Sequence, residues 1–140
     1  MLSAYESRGG EMFSDQKSAA MLPASDMERA KQWYMDHLDL KPAAEEPDGM
    51  QYVTGSGTEF WIYPSPFAGT NQATAMGFMS QDLSAEMDAL KSRGITFEEY
   101  DIPGAKTVEG IHEFSEGERG AWFKDSEGNI IALFESQKYT

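Results

Sequence analysis

Two copies of one local pattern constrain this chain more than any other feature. A short apolar run, an acidic helix start, an amphipathic helix and glycine-turned strand segments occur between Ala19 and Tyr63, and again between Ala73 and Glu135. In the first copy, Ala19-Ala20-Met21-Leu22-Pro23-Ala24 reads as a strand, with Pro23 disfavouring a central place or marking a bulge. Ser25 stands three residues before Glu28, a capping-box spacing. Met27, Ala30, Tyr34 and Leu38 share one helical face, so the spacing predicts a helix from Asp26 to about Leu38. Glu45 to Gly49 reads as polar turn. Met50 to Thr54 and Thr58 to Tyr63 form a hairpin about Gly55-Ser56-Gly57.

In the second copy, Ala73 to Ser80 is a strand and Asp82 caps a helix carrying Leu83, Met87 and Leu90, with Gly94 as its stop. Ile95 to Ile102 reads as a strand ended by Pro103-Gly104. Lys106 to Gly120 reads as a long polar loop holding a short strand around His112 to Phe114. Ala121 to Lys124 and Ile130 to Glu135 are a strand pair joined by the turn Asp125 to Asn129. Ser25-Asp26 matches Gln81-Asp82, and Gly57 matches Gly128 before the final strand of each half. This is a structural repeat with weak identity. Each half alone is a sheet with a helix on one side, so its other face needs a partner. The expected class is α+β: two βαβββ modules forming a curved mixed sheet around a cleft, with helices on the outer face. The expected boundaries are an arm over 1–18 anchored by Met12-Phe13, modules over 19–63 and 73–135, a Pro/Gly/Ser/Thr-rich linker over 64–72, and a tail over 136–140, together one domain.

Charge then removes whole classes of partner. The 140 residues carry 24 acidic and 11 basic side chains, a formal charge of −13 that repels nucleic-acid backbones and anionic lipids. The charges are scattered, which fits solubility; attraction of a cationic ligand is the functional alternative. Absence of cysteine excludes disulfides, thiolate metal sites and a cysteine nucleophile. No run approaches the roughly 18 apolar residues of a spanning helix, and the N-terminus does not read as a secretory signal, so the expectation is a cytoplasmic protein. Gly55-Ser56-Gly57 opens no helix and is not a phosphate loop.

The stretch Ala121-Trp122-Phe123-Lys124-Asp125-Ser126-Glu127-Gly128-Asn129-Ile130-Ile131-Ala132-Leu133-Phe134-Glu135 resembles the terminal hairpin of the vicinal oxygen chelate superfamily, which groups glyoxalases, bleomycin-resistance proteins and extradiol dioxygenases. Ser126 replaces the proline usual in that family's turn. Ala24 to Tyr34 is similar to the opening of the family's first helix, with Trp33-Tyr34 for the frequent Phe-Tyr. The resemblance spans about Ala19 to Glu135 and implies βαβββ modules, a homodimer and a divalent metal held by His, Gln and Glu. Its ligand positions fall here on Ala19, Trp61, Ala75 and Ala132. Alanine has no donor atom and an indole offers only an N–H, so the expectation is no metal and no cofactor.

Strand alternation places the cleft-facing side chains from the same positions. Trp61 inward implies Glu59 and Tyr63 inward, with Phe60 and Ile62 beneath the helix. Ala132 inward implies Ile130 and Phe134 inward. Ala19, Met21, Ala75, Gly77 and Met79 line the other central strands. The implied site is a methionine- and aromatic-rich cup with small residues at its base: Met21, Glu59, Trp61, Tyr63, Met79 and Phe134 around Ala19, Ala75 and Ala132. Of Trp122 and Phe123 only one faces the cleft. Three functions fit: metal-independent binding of a small aromatic or apolar molecule, cationic ones included; a metal-independent isomerase or lyase with Glu59, His112 or Glu113 as base; or a non-catalytic structural or regulatory dimer whose cleft is packed shut.

Overall fold

The computed structural model describes residues 13–115 and 117–136. Most of the expected arm, Met12 included, and the tail beyond Ser136 lie outside the described residues. The first module comprises β1 (Ala20–Ala24), α1 (Met27–Leu38), β2 (Ala44–Glu46), β3 (Gly49–Thr54) and β4 (Thr58–Pro64). Its sheet runs β1-β4-β3-β2, with β1 parallel to β4. The second comprises β5 (Thr74–Ser80), α2 (Leu83–Ser92), β6 (Asp101–Ile102), β7 (Ala105–Val108), β8 (Ile111–Glu113), β9 (Arg119–Lys124) and β10 (Ile130–Glu135), in the order β5-β10-β9-β8-β7-β6. The architecture is thus two βαβββ-like modules forming mixed sheets with flanking helices. No helix among the described residues is long and apolar enough to cross a membrane.

Four local readings change. Lys106 to Gly120, expected as a loop with one short strand, carries most of β7 as well as β8, paired as a hairpin. The N-cap of α1 is Asp26, which accepts the Arg29 N–H at 3.0 Å; Ser25 instead turns its backbone N–H and hydroxyl to Glu127. The polar stretch after Pro42 contains an edge strand, β2, whose glutamates face solvent and blunt the edge. Of the run from Ile95 to Ile102, only the last two residues are strand. Ile95 and Phe97 bury themselves under the sheet, and Glu98 N–H reaches Trp122 O at 2.8 Å, but no ladder continues.

Both modules feed one core. Tyr34 of α1 packs on Tyr52 and Phe60 of its own sheet, while neighbouring Trp33 stacks on Phe123 of the other module at 6.2 Å. Leu83 and Met87 of α2 join the same cluster with Ile131 and Leu133. Because the helices and one face of each sheet share this core, the opposite faces form the inner side of the molecule. At the seam, β1 lies against β5.

Candidate functional site: the inner face

The second sheet carries an aromatic inner face. Register places His112, Gly120, Phe134 and Met79 in one row across β8, β9, β10 and β5, and Trp122, Ala132 and Gly77 in the next. The missing side chains matter. A Cβ on Gly77 would lie 2.8 Å from the Phe134 ring, and one on Gly120 would lie 2.9 Å from Phe114 and 3.2 Å from Phe134. The rings lie down into these gaps. Phe134 is 6.0 Å from Phe114 and 6.3 Å from Trp122, whose other ring neighbours are Tyr100 at 5.6 Å, Phe114 at 6.2 Å and His112 at 6.3 Å. Trp122 Nε1 donates to Thr74 Oγ1 at 3.0 Å, so its buried polar atom is satisfied.

A cavity of about 270 Å³ opens along this face, lined by Met79, Phe114 and Phe134 with the Arg119–Glu135 pair at its end. That pair, 3.0 Å apart, is anchored because Glu135 also accepts the N–H of Leu83 at the start of α2. The Leu83 amide, followed by the Arg119 guanidinium, holds the Glu135 carboxyl below its ordinary range.

The first sheet carries the other expected residues. Met21 pairs with Trp61 across β1 and β4, and the Trp61 ring lies against Gly49. Gln51 Nε2 donates to Glu59 Oε2 at 3.2 Å. Tyr63 is half-buried beyond Trp61, and Met21 is 55% exposed. The structure therefore brings Met79 and Phe134 together and groups Met21, Glu59, Trp61 and Tyr63 separately. The cavity along the second sheet does not reach the latter four.

Ala75 departs from the expected face. It is the additional residue where the β5–β10 register shifts between Ile130 and Ile131, and it packs against the shared core. Ala132 is buried beneath Trp122 and Phe134, and Ala19 precedes β1, partly buried. The residues at the four ligand positions do not fit a divalent ion, and among the described residues no group of three or more His, Asp or Glu side chains is placed to hold one.

The three candidate bases stand in different settings. Glu59 is hydrogen-bonded on the first sheet. His112 Nδ1 lies 3.0 Å from the Lys106 backbone nitrogen, with its ring edge-on to Phe114 at 4.5 Å. Glu113, next in the strand, is exposed and pairs in register with Arg119. Residues not anticipated are Phe114, Tyr100, Thr74 and the Arg119–Glu135 pair. Trp122, rather than Phe123, proves to face inward, and the signal for that is in the hairpin: counting both strands back from Asp125 and Asn129 sets Trp122 opposite Ala132.

The model of the Glyoxalase family, described as the Glyoxalase/Bleomycin resistance protein/Dioxygenase superfamily, matches residues 18–133. The chain belongs to that superfamily. Among solved structures, a glyoxalase family protein from Enterococcus faecalis superposes with a TM-score of 0.67 at 18% identity, covering 89% of this chain and 100% of its own. A glyoxalase/bleomycin resistance protein/dioxygenase from Alicyclobacillus acidocaldarius gives 0.65 at 17% identity, covering 88% and 92%. A lactoylglutathione lyase from Agrobacterium tumefaciens gives 0.63 at 18%, covering 89% and 96%. At these identities the likeness speaks for the glyoxalase fold. A search of curated proteins found no match.

Proposed function

We propose that this glyoxalase-superfamily chain binds a small aromatic or apolar molecule, cations included, against its inner face, without a protein-held metal. The observation that carries the reading is the loss of donor side chains at the ligand positions together with an aromatic inner face on the second sheet. Where the superfamily resemblance expects metal ligands, this chain has alanines and Trp61. On the second sheet, beside Ala132, stand Phe134, Trp122 and Phe114 over a floor that includes Gly77 and Gly120. Such a surface holds a flat molecule by stacking and area burial, and the charge of −13 draws a cation toward it. Met21 and Met79, 55% and 52% exposed, leave apolar area on this side for a ligand or a second copy of the chain. We take the working form to be a cytoplasmic homodimer.

The test is a tryptophan-fluorescence titration with ethidium, a planar aromatic cation, in the presence and absence of EDTA. The expected result is saturable quenching, indifferent to EDTA and weakened about three- to tenfold by Phe134→Ala. Quenching abolished by EDTA, or no saturable binding, overturns the reading. The isomerase or lyase alternative would require turnover lost on replacing Glu59, His112 or Glu113.

A further inference from the structure

A second cavity, of about 370 Å³, lies on the helix side of the molecule; of the inner-face residues only Met79, at the shared edge, also lines it. Its walls come from both modules: Leu38 from the end of α1, Leu90 from α2, and Phe78, Phe123 and Leu133 from the second sheet. The volume equals that of about a dozen waters and falls within the range of small-ligand sites.

The polar groups at its rim decide what it suits. Arg93 lines the cavity, but its charge is answered: Nη2 contacts Asp39 Oδ2 at 2.7 Å and Nη1 reaches the His37 carbonyl at 3.4 Å. This bridge ties the end of α2 to the C-cap of α1. His37 also lines the cavity. Its ring stacks on Trp33 at 4.9 Å, and Nδ1 lies 3.1 Å from the Trp33 carbonyl, to which it donates; in the neutral ring Nε2 is then the acceptor. Glu86, on the exposed side of α2, lines the same cavity, and its carboxylate forms no hydrogen bond or ion pair with the described residues. The rim thus offers one unanswered negative charge and one imidazole acceptor above an apolar floor, with its only guanidinium neutralised.

We infer that this inter-helix cavity is a second binding site, for a small amphipathic amine whose hydrocarbon body lies on Phe78, Leu90 and Leu133 and whose ammonium meets Glu86 and His37 Nε2. An ammonium is three donors without an acceptor, and the rim supplies acceptors. A carboxylate of the same shape would face Glu86 and find Arg93 already engaged by Asp39.

The probe is 2-phenylethylamine, with 3-phenylpropionate as the anion of similar body, each titrated into the full chain by calorimetry. The amine should bind one site per chain, at least about tenfold tighter than the acid. Glu86→Gln should weaken the amine about tenfold. Ala89→Phe, which fills the cavity from an exposed helix position, should abolish binding, while Trp61→Ala and Phe134→Ala on the inner face should leave it unchanged. Equal affinity for acid and amine, no saturable binding, or binding that survives Ala89→Phe but is lost with Phe134→Ala would overturn the assignment. Because ethidium reports the inner face, loss of either binding event leaves the other readable.

Discussion

Glu127, in the last hairpin turn of the second module, closes on Arg29, in the first helix of the first module, with Arg29 Nε 2.8 Å from Oε2. The same carboxylate accepts the N–H groups of Ser25 and Asp26 at 3.0 Å each and the Ser126 hydroxyl at 2.8 Å. A helix start therefore receives its anion from the other half of the repeat. Glu135, at the far end of the same hairpin, caps α2 within its own module by accepting the Leu83 N–H at 2.9 Å.

This relationship has a pH signature. Burial by itself raises the Glu127 carboxyl, but hydrogen bonds from Arg29, Ser126 and the Asp26 backbone, with the guanidinium charge, outweigh it and hold the group at about 2. A carboxyl depressed from its ordinary 4.5 contributes stability that is complete above that value and is lost as pH falls toward 2. Glu127→Gln should cost about 2–3 kcal/mol at pH 7. Denaturant melts of the two proteins should converge as the pH approaches 2; a constant difference across that range would contradict the network.

Two buried tyrosines should respond oppositely to loss of their hydroxyls. Tyr34 Oη donates to Asp125 Oδ2 at 2.6 Å, and Asp125 in turn holds the backbone N–H groups of Glu127 and Asn129. Tyr52 Oη is buried without a hydrogen-bond partner among the described residues. Tyr34→Phe should destabilise by about 1–3 kcal/mol, whereas Tyr52→Phe should be neutral or stabilising. Thermal melts of the two variants decide it.

The same pair predicts alkaline behaviour. Burial, then the Asp125 charge and its hydrogen bond, lift the Tyr34 phenol well above its ordinary range; burial and the Glu45 charge push Tyr52 up to about 12. Both raised groups contribute stability that is present below pH 10 and lost as pH rises beyond it. Spectrophotometric titration should show these two phenols ionising only on unfolding.

The equivalent turn glycines should not be equivalent in cost. Gly57 and Gly128 have φ of +92° and +85°. A Cβ at Gly57 would meet nothing within 4 Å, but one at Gly128 would lie 2.8 Å from the Cα of Gly69 in the inter-module segment. Gly57→Ala should cost about 1–2 kcal/mol, the left-handed backbone alone. Gly128→Ala should cost about 2 kcal/mol more, because backbone cannot swing aside as a ring can. Similar melting temperatures for the two variants would refute the close approach.

Gly120→Ala tests the inner face. The new methyl must displace the Phe114 and Phe134 rings, so near-ultraviolet circular dichroism should change while far-ultraviolet signal persists, at a cost of about 1–3 kcal/mol. Ethidium binding should fall with it.

Much of the fold is legible from local chemistry. Asp82, the stripe through Ala30 and Tyr34, the Gly57 turn and the Asp125–Asn129 turn each act over a few residues, so a cap, periodicity and turns announce the modules directly. Alternation also set the facing of Trp61 and Phe134 correctly relative to Phe60 and Leu133, because a strand has only two faces.

What tertiary structure decided lies where distant segments compete for the same group. Ser25 had the spacing of a cap, but Glu127 claimed it from the opposite module. Ala75 had the parity of a cleft residue, but a register shift against β10 turned it to the core. Ile95 to Tyr100 had strand composition, yet it meets β9 through the Glu98 N–H to Trp122 O bond without forming a ladder. Local propensity depends on bonds within a few residues and can be read along the chain. Bulges, shared caps and cavities between helices depend on which surfaces meet, and that is settled only when both modules pack into one core.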